Sequence, residues 1–538
     1  MRERVVLEEG HPVGERFSDG GKPELEEGLV IETGGRRLRV QWDPQAPVTP
    51  LGQVAFFMQF LAVGGLFSDF LASCPIRYQS NAASRVHDVL GTMILGVLSG
   101  QQRFAHLNAL REDEVNRVGL GLQKICSEDV VRRAFDERTM PCTAGQISEW
   151  LGSALARSWG PGLRCGGWIL DIDVTIKPIY GRQEGARLGY NPHKPGRPSH
   201  AYHNYIMAGL RLVLDVEVRA GNEHAAKHGY EGLWRLWERF APEERPLAIR
   251  GDAGYGNECL LAACEERGQG YLLRLRQTKK VKELVRLMQA LEPAGAAERA
   301  RAERWQKVGP EGWQACEGRL QLQGWSAQRR VVILRRRVRA KPAASAEAAE
   351  PAGGKASQQL LPWNEPMPVT DTWEYQVLVT NLNWGQAELF ECYRQRGDCE
   401  NTYDELKNQW GWSGFTTRDL SRSANMARMV ALVYNWWTLF VRALEPTQAR
   451  EAVSSRPLFL AAVGRLVTHA GGLVLRLTST HAQAALAQKL QEDLSLFLSS
   501  LQMTAEQLNN QQRWERIWQR LTAPYRAFNR ARLPPAPT

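Results

Sequence analysis

Two aspartates stand at or near the ends of apolar stretches that are typical of buried strands. Asp173 lies in LDIDVT, and Asp252 lies in IRGDAGYG. Carboxylates at the ends of neighbouring strands meet at one edge of an α/β sheet, where such sheets place their sites. Oxygen ligands of this kind are preferred by Mg²⁺ and Mn²⁺. The pattern therefore predicts a carboxylate site for a divalent cation, although a lone aspartate is more often a turn or cap residue.

A third carboxylate comes from the polar stretch YRQRGDCENTYDELKNQWG, which begins at Tyr393. If the stretch is one α-helix, Tyr393, Arg396, Glu400 and Lys407 fall within a sector of about 60°. A tyrosine hydroxyl and two cations would then flank one carboxylate, an arrangement that suits a phosphate backbone and a bound cation. Asp404 lies close to the same sector and is the rival carboxylate. The alternative is a solvated helix face with ion pairs between successive turns.

In LDIDVT, Asp171 and Asp173 share one face of the strand, because side chains alternate with period two. We select Asp173 as the ligand, since it is nearer the carboxyl end of the strand, and keep Asp171 as a supporting group. Two divalent cations about 3.5–4 Å apart activate a nucleophile and stabilise the leaving oxygen in phosphoryl transfer. A third carboxylate from a packed helix would complete such a centre.

The elements that must position these residues can be predicted from the hydrophobic pattern. Strand-like runs alternate with helical ones from 168 onward, which predicts a mixed α/β sheet with both faces covered. Near the N-terminus, LVIETGGRRLRVQW predicts a hairpin, because Gly-Gly separates two alternating runs. The predicted divisions are a polar N-terminal segment (1–49), a helical domain that is either scaffold or DNA-binding (50–160), the first part of the core (161–276), a β-rich insertion (277–372) with a disordered Ala/Pro/Gly loop near 341–359, the rest of the core with the Glu400 helix (373–445) and a helical C-terminal region (446–538).

Composition narrows the class of protein. The 538 residues exceed what one hydrophobic core holds, and the net charge of +10 favours a polyanionic partner. The nine cysteines form no CxxC pair, which predicts neither a disulfide framework nor a zinc ribbon and fits a reducing cytoplasm. No apolar run reaches 18 residues, so we expect no transmembrane helix and no membrane partner.

Two further groups of basic residues are candidate DNA contacts. Lys194 and Arg197 lie in NPHKPGRPSH, a Pro/Gly-rich loop that comes after the first aspartate strand. A second group has seven basic residues between Arg329 and Lys341. That run predicts either a charged strand edge that resists aggregation or a contact with a DNA backbone. The residues alone leave both interpretations open.

The carboxylates and the polar stretch together resemble the motifs of a known family. The spacing Y-x2-R-x3-E-x6-K, with an upstream DxT strand and a GD strand end, resembles the DDE transposases of bacterial insertion sequences. The stretch SANMARMVALVYNWW also resembles the segment after the glutamate helix in a subgroup of that family. The resemblance covers roughly residues 50–445. It implies an α/β fold with an RNase H-like catalytic core that carries a β-rich insertion.

The resemblance also implies roles for the residues. Asp173, Asp252 and Glu400 would be the catalytic triad and would hold two Mg²⁺ or Mn²⁺ ions. Tyr393, Arg396 and Lys407 would contact phosphates near the cleaved end, and the partners would be terminal inverted repeats and target DNA, bound by a homodimer. Because the resemblance implies an enzyme that acts on DNA, we favour the DNA contact for the run of seven basic residues. The alternatives are an RNase H-like nuclease that cleaves without joining, and a catalytically silent DNA-binding protein.

Overall fold

The structure is a computed structural model, and it divides into two compact units, residues 1–47 and 48–538. It describes residues 29–32, 37–40, 47–78, 80, 82–136, 145–164, 167–191, 194–223, 230–290, 304–339, 371–412, 414–415, 417–478, 482–504 and 507–530. The expected disordered loop near 341–359 lies outside these residues. In the first unit, β1 (Leu29–Glu32) and β2 (Arg37–Val40) pair antiparallel, which confirms the predicted hairpin strands.

Twelve further strands belong to the described part of the second unit. They are β3 (Val48–Thr49), β4 (Ile169–Pro178), β5 (Ser199–Met207), β6 (Leu212–Ala220), β7 (Ala248–Gly251), β8 (Tyr271–Arg274), β9 (Gln306–Lys307), β10 (Gln314–Leu320), β11 (Arg329–Arg339), β12 (Asp371–Thr380), β13 (Gly464–His469) and β14 (Gly472–Leu477).

The helices of the second unit, within the described residues, fall into an N-terminal, a central and a C-terminal group. They are α1 (Val54–Val63), α2 (Leu66–Ala72), α3 (Val86–Leu98), α4 (Glu114–Gly119), α5 (Glu128–Ala134), α6 (Gln146–Trp159), α7 (Tyr230–Trp237), α8 (Glu258–Glu266), α9 (Lys279–Ala290), α10 (Gln386–Arg394), α11 (Gly397–Asn408), α12 (Leu420–Leu444), α13 (Ala452–Phe459), α14 (Ala484–Gln502) and α15 (Asn510–Arg530).

A mixed sheet organises the second unit. Its described strands run in the order β6-β5-β4-β7-β8-β12-β11-β10-β9. β5 pairs antiparallel with both β6 and β4. In contrast, β7 is parallel to β4, and β8 is parallel to β7. The order of the first five strands is that of an RNase H-like core, and the α/β fold class is confirmed.

The central strands are buried on both sides. All nine residues of β5 and all four of β7 are buried, including the polar residues His203, Asn204 and Arg250, so these strands are covered on both faces. One face is covered by α12, a helix of 25 residues that packs on β6 and α6. Trp436, Trp437 and Phe440 of α12 are buried with Phe57 of α1 in the same apolar cluster.

The strands of the expected insertion extend the same sheet. β12 pairs with β8, and β11, β10 and β9 come next in antiparallel order. One face of this extension is covered by α9 and the other by α10. Because side chains of a strand alternate between its faces, successive residues of β11 belong to two different apolar clusters. Val331 and Ile333 lie in one cluster, and Val332 and Leu334 lie in the other.

The C-terminal region differs from the expectation of helices alone. β13 and β14 form a hairpin from Gly464 to Leu477, and β3 pairs with β13. The Gly471-Gly472 pair lies at the turn, where Gly471 has a φ of 78° that favours glycine. The N-terminal hairpin sequence has the same Gly-Gly signal between two runs of residues. The prediction that this C-terminal segment is helical was wrong, because the apolar residues around Gly471 and Gly472 belong to strands.

No single helix among the described residues is long and apolar enough to cross a membrane, whereas the bent pair α1 and α2 meets the criteria of length and composition.

Candidate active site

The parallel pairing of β4 and β7 brings the two aspartates to one edge of the sheet. Ile172 of β4 is the register partner of Gly251 of β7. The next residues in each strand direction are Asp173 and Asp252, so both carboxylates lie at the same level on adjacent strands, which are about 4.8 Å apart. The two residues thus lie beside each other, as expected from their positions at the ends of neighbouring strands.

Asp252 also shapes its own turn. Its Oδ1 accepts a hydrogen bond from the backbone N–H of Gly254 at 2.8 Å. A Cβ at position 254 would lie 3.0 Å from that oxygen, so glycine allows the close approach. Asp252 therefore stabilises a turn, which was the alternative to a role as a metal ligand. It uses one carboxylate oxygen and leaves Oδ2 for other ligands.

The stretch from Tyr393 to Gly411 is two helices, and the expectation of one continuous helix was wrong. α10 ends at Arg394 and α11 begins at Gly397. Between them the N–H of Arg396 bonds the carbonyl of Tyr393 at 3.0 Å, an i to i+3 contact that tightens the chain. Gly397 has low helix propensity, which favours the break at this point.

Arg396 joins two of the three expected ligands in spite of the break. Its Nη2 donates to Oδ2 of Asp173 at 2.7 Å, and its Nη1 donates to Oε1 of Glu400 at 2.5 Å. The guanidinium is 11% exposed, the Asp173 side chain is 18% exposed and Glu400 is 63% exposed. The structure thus brings together a strand carboxylate and the helix carboxylate with a cation between them.

The environment of Asp173 disfavours its charge. Burial raises the pKa of this carboxyl, and so do the neighbouring carboxylates of Asp252 and Glu400. The contact with Arg396 acts in the opposite direction, but the pKa is still raised to about 7. Asp173 is therefore near enough to be repelled by both Asp252 and Glu400, which is the condition that a bound cation relieves.

The other carboxylates of α11 have different partners. Asp398 accepts a hydrogen bond from Arg211 at 2.8 Å. Glu405 is buried and accepts one hydrogen bond from Trp410 Nε1 at 3.0 Å. It accepts another at 2.8 Å from the backbone N–H of Ala452, the first residue of α13. These contacts hold the helix at both ends, so that Glu400 is turned towards Asp173. The rival, Asp404, is exposed and accepts from Asn408 at 2.7 Å.

A buried ion pair lies beneath the site. Arg250 donates to both oxygens of Asp171, at 2.6 and 2.7 Å, and both side chains are almost fully buried. Burial acts to lower the pKa of Arg250, but the contacts with Asp171 outweigh it and the pKa is raised. The same guanidinium donates to the carbonyl of Cys392, which ties α10 to the sheet. Arg250 was missed from the sequence, although its alternation with Asp252 on a buried strand was the signal.

Tyr393 and Lys407 lie near the carboxylates on separate helices. Tyr393 is 9% exposed and belongs to the apolar cluster under α10. Burial raises its pKa to about 12, while Arg396 and Arg274 act to lower it. Burial lowers the pKa of Lys407, and its nearest charged neighbours include Asp173. Both side chains are thus at the edge that carries Asp173.

Lys194 and Arg197 form a separate group on the loop between β4 and β5. Both are exposed, and their charged groups lie over the ring of Tyr180, at 5.1 and 4.7 Å from its centroid. The structure records no contact between this group and the three carboxylates within the described ranges. Their predicted role in DNA binding stays a prediction.

The arginines of β11 have partners inside the protein. Arg329 pairs with Glu258 and Glu265, and Arg336 pairs with Glu374. Arg335 lies between the rings of Trp305 and Trp373, at 3.7 and 4.3 Å from their centroids. These contacts favour the structural interpretation for much of the basic run, rather than the DNA contact that we favoured from the sequence.

The donor set fits a hard divalent cation by its chemistry. Within the described ranges, no three side chains of His, Cys, Asp or Glu are close enough together to hold a metal ion. At the candidate site Arg396 lies between Asp173 and Glu400. The three side chains nevertheless offer carboxylate oxygens, and oxygen ligands of this type suit Mg²⁺ or Mn²⁺.

Comparisons with known proteins identify the family of the chain. No curated protein matches the chain. A solved structure that matches is the cryo-electron microscopy structure of a piggyBac transposase synaptic complex with hairpin DNA, with 12% identity and a TM-score of 0.36 over 86% of this chain and 85% of that chain. The family described as transposase DDE domain group 1 matches residues 63–498. Because this match spans well over half of the chain, the protein belongs to that family of DDE transposases.

Proposed function

We propose that the protein cleaves DNA at the ends of a mobile element and joins the freed ends to target DNA. The observation that carries the proposal is that Asp173 on β4 lies beside Asp252 after β7 and shares the guanidinium of Arg396 with Glu400 of α11. Family membership supports the same reaction class.

The three carboxylates would hold two divalent cations, Mg²⁺ or Mn²⁺. When bound, such cations activate an attacking oxygen and stabilise the leaving oxygen of a phosphodiester. In this assignment Asp252 contributes Oδ2, since Oδ1 is engaged by the N–H of Gly254. Glu400 is the most exposed of the three and is the ligand that meets incoming DNA first.

The protein's own cations prepare the site for a polyanion. Arg396 donates hydrogen bonds to Asp173 and Glu400. If divalent cations were bound by these carboxylates, the hydrogen bonds would open, and the guanidinium would offer a planar fork of donors that suits two phosphate oxygens. Lys407 lies on the same helix face as Glu400 and adds a second positive charge.

Both ends of an element must be held for joining, so we propose a homodimer as the active assembly, with terminal inverted repeats and target DNA as its ligands. A bacterial insertion sequence as the source element is part of this proposal.

The test is cleavage of a supercoiled plasmid that carries the gene with its native flanks. Purified protein with Mg²⁺ or Mn²⁺ should produce breaks at two flanking repeats with 3′-OH ends, and joined products should then appear. Asp252→Asn should abolish cleavage, because it removes charge from the cation site. Asp404→Asn is the matched control on α11 and should cleave normally, since Asp404 is exposed and its recorded hydrogen bond is with Asn408.

The result also separates the alternatives. Breaks without joined products would identify a nuclease and contradict the transposase assignment. Binding of the flanks without cleavage under either metal would identify a silent DNA-binding protein.

A further inference from the structure

A run of exposed basic residues lies just after β8. Its members Arg276, Lys279, Lys280, Lys282 and Arg286 are all exposed. In the part of the chain that the structure describes, none of the three lysines is recorded in an ion pair. Residues 276–290 contain a single acidic residue, Glu283. We call Lys279, Lys280 and Lys282 the α9 lysines.

These lysines differ from the arginines of β11 in how their charge is used. Arg329, Arg330 and Arg336 are each paired with glutamates, and Arg330 also donates to the carbonyls of Leu382 and Trp384. Charges that are neutralised inside the protein contribute little to attraction of a polyanion. The α9 lysines keep their full charge towards solvent.

The position of α9 relative to the site can be read from the sheet register. β8 is parallel to β7, with Leu273 opposite Gly251, so Arg274 ends its strand at the level of Asp252. Arg276 then reaches back to this edge, where its Nε donates to the carbonyl of Ala253 at 3.1 Å. Lys279 is three residues farther along, so its Cα lies within about 11 Å of that of Arg276.

The helix is held firmly with its lysines outward. Val281, Leu284 and Val285 are buried against the sheet. Just before α9, Gln277 donates a hydrogen bond to the backbone carbonyl of Tyr375 at 3.3 Å. Near the carboxyl end of α9, Gln289 donates to the hydroxyl of Tyr375 at 2.6 Å. The lysines therefore present positive charge from a fixed element at the amino end of a helix, where the helix dipole adds to the attraction of an anion.

We infer that the α9 lysines, together with Arg276, bind the phosphate backbone of the DNA that is cleaved at Asp252, and so form a second contact region beyond the helix that carries Glu400. This inference rests on the proposed function for the location of the cut. A solvated helix face is the simpler interpretation of exposed lysines. It does not explain why three cations without recorded ion pairs follow closely after Arg276, which contacts the residue next to Asp252, while Arg329, Arg330 and Arg336 are paired with glutamates.

The test compares two triple variants that change net charge equally. One is Lys279→Gln with Lys280→Gln and Lys282→Gln, and the control is Arg465→Gln with Arg476→Gln and Lys489→Gln, three exposed cations on β13, β14 and α14. The affinity for a short fluorescein-labelled duplex is measured by anisotropy, with EDTA present so that nothing is cleaved. Log affinity is plotted against log salt concentration for each protein. Circular dichroism confirms that both variants fold.

Each lost phosphate contact lowers the slope of that plot by about 0.9, so the α9 variant should lose about 2.7. The control should keep the slope of the wild type. Equal changes in both variants would show an effect of net charge alone and would overturn the inference, as would no change in either.

The outcome is separable from that of the proposed function. If metal-dependent cleavage requires Asp252 but the slope of the α9 variant is unchanged, the inference fails and the function stands. If the wild type neither binds the duplex nor cleaves the plasmid with either metal, both fail.

Discussion

At the scale of single residues, Arg396 offsets part of the repulsion between Asp173 and Glu400. It occupies the position between Asp173 and Glu400 and supplies one positive charge. That charge is insufficient to restore the ordinary acidity of Asp173, whose pKa remains at about 7. The site is therefore short of positive charge, and a proton or a divalent cation supplies it.

This competition predicts a pH dependence of cation binding. Below a pH of about 7 Asp173 holds a proton in the folded protein, and a cation must displace it. Affinity for Mn²⁺ should therefore fall as the pH decreases through about 7, by up to about tenfold per pH unit for one displaced proton. Calorimetric titration at about pH 8 and about pH 6 measures this.

Asp404→Asn serves as the control in the same titrations and should keep the pH dependence of the wild type. Equal Mn²⁺ affinity at both pH values would contradict the raised pKa of Asp173 as the source of the competition.

At the scale of elements, the site depends on how α10 and α11 are attached to the sheet. The buried Asp171–Arg250 pair holds α10 through the carbonyl of Cys392, and Arg211 holds the start of α11 through Asp398. Two short helices with separate attachments present Arg396 at their junction. A single straight helix would not have this junction.

The Asp171–Arg250 pair gives a prediction for stability. Asp171→Asn leaves the buried guanidinium without its counter-charge and should lower the free energy of unfolding by about 3–5 kcal/mol. Glu391→Gln removes an acid from an exposed pair with Arg394 and should cost less than about 1 kcal/mol. Urea denaturation measures both. Equal costs would show that the buried pair has no special role.

A double variant separates stability from positioning. Asp171→Leu with Arg250→Met replaces the pair by apolar groups and should recover much of the lost stability. DNA cleavage by this double variant should be lower than that of the wild type, because α10 loses the hydrogen bond from Arg250 to the carbonyl of Cys392.

The same elements show how far the sequence allows prediction. The strands that carry Asp173 and Asp252 were predictable, because buried parallel strands give continuous apolar runs and their carboxyl ends share an edge. The break in the helix between Arg394 and Gly397 could not be predicted from the sequence. It depends on contacts of Tyr393 and Asp398 with residues that are distant in sequence. The partners of the β11 arginines were hidden for the same reason, since Glu258 and Glu265 lie on α8.

At the scale of the whole molecule, one continuous sheet joins the catalytic edge to the extension formed by β9–β12. Strand pairing through β8 and β12 makes the extension a rigid part of the core rather than an appended module. The α9 lysines belong to a helix that packs on this sheet, and Arg276 just before it hydrogen-bonds Ala253, the residue after Asp252. The helices from both ends of the second unit pack around α12 on the other part of the sheet.

The most direct measurement is the location of manganese in crystals soaked with Mn²⁺, by anomalous scattering. We predict manganese bound by Asp173, Asp252 and Glu400, with the guanidinium of Arg396 displaced from between Asp173 and Glu400. Crystals of Asp252→Asn should lose this signal. Manganese found only at other positions, or a signal at the three carboxylates that is unchanged in Asp252→Asn, would contradict the assignment of the metal site.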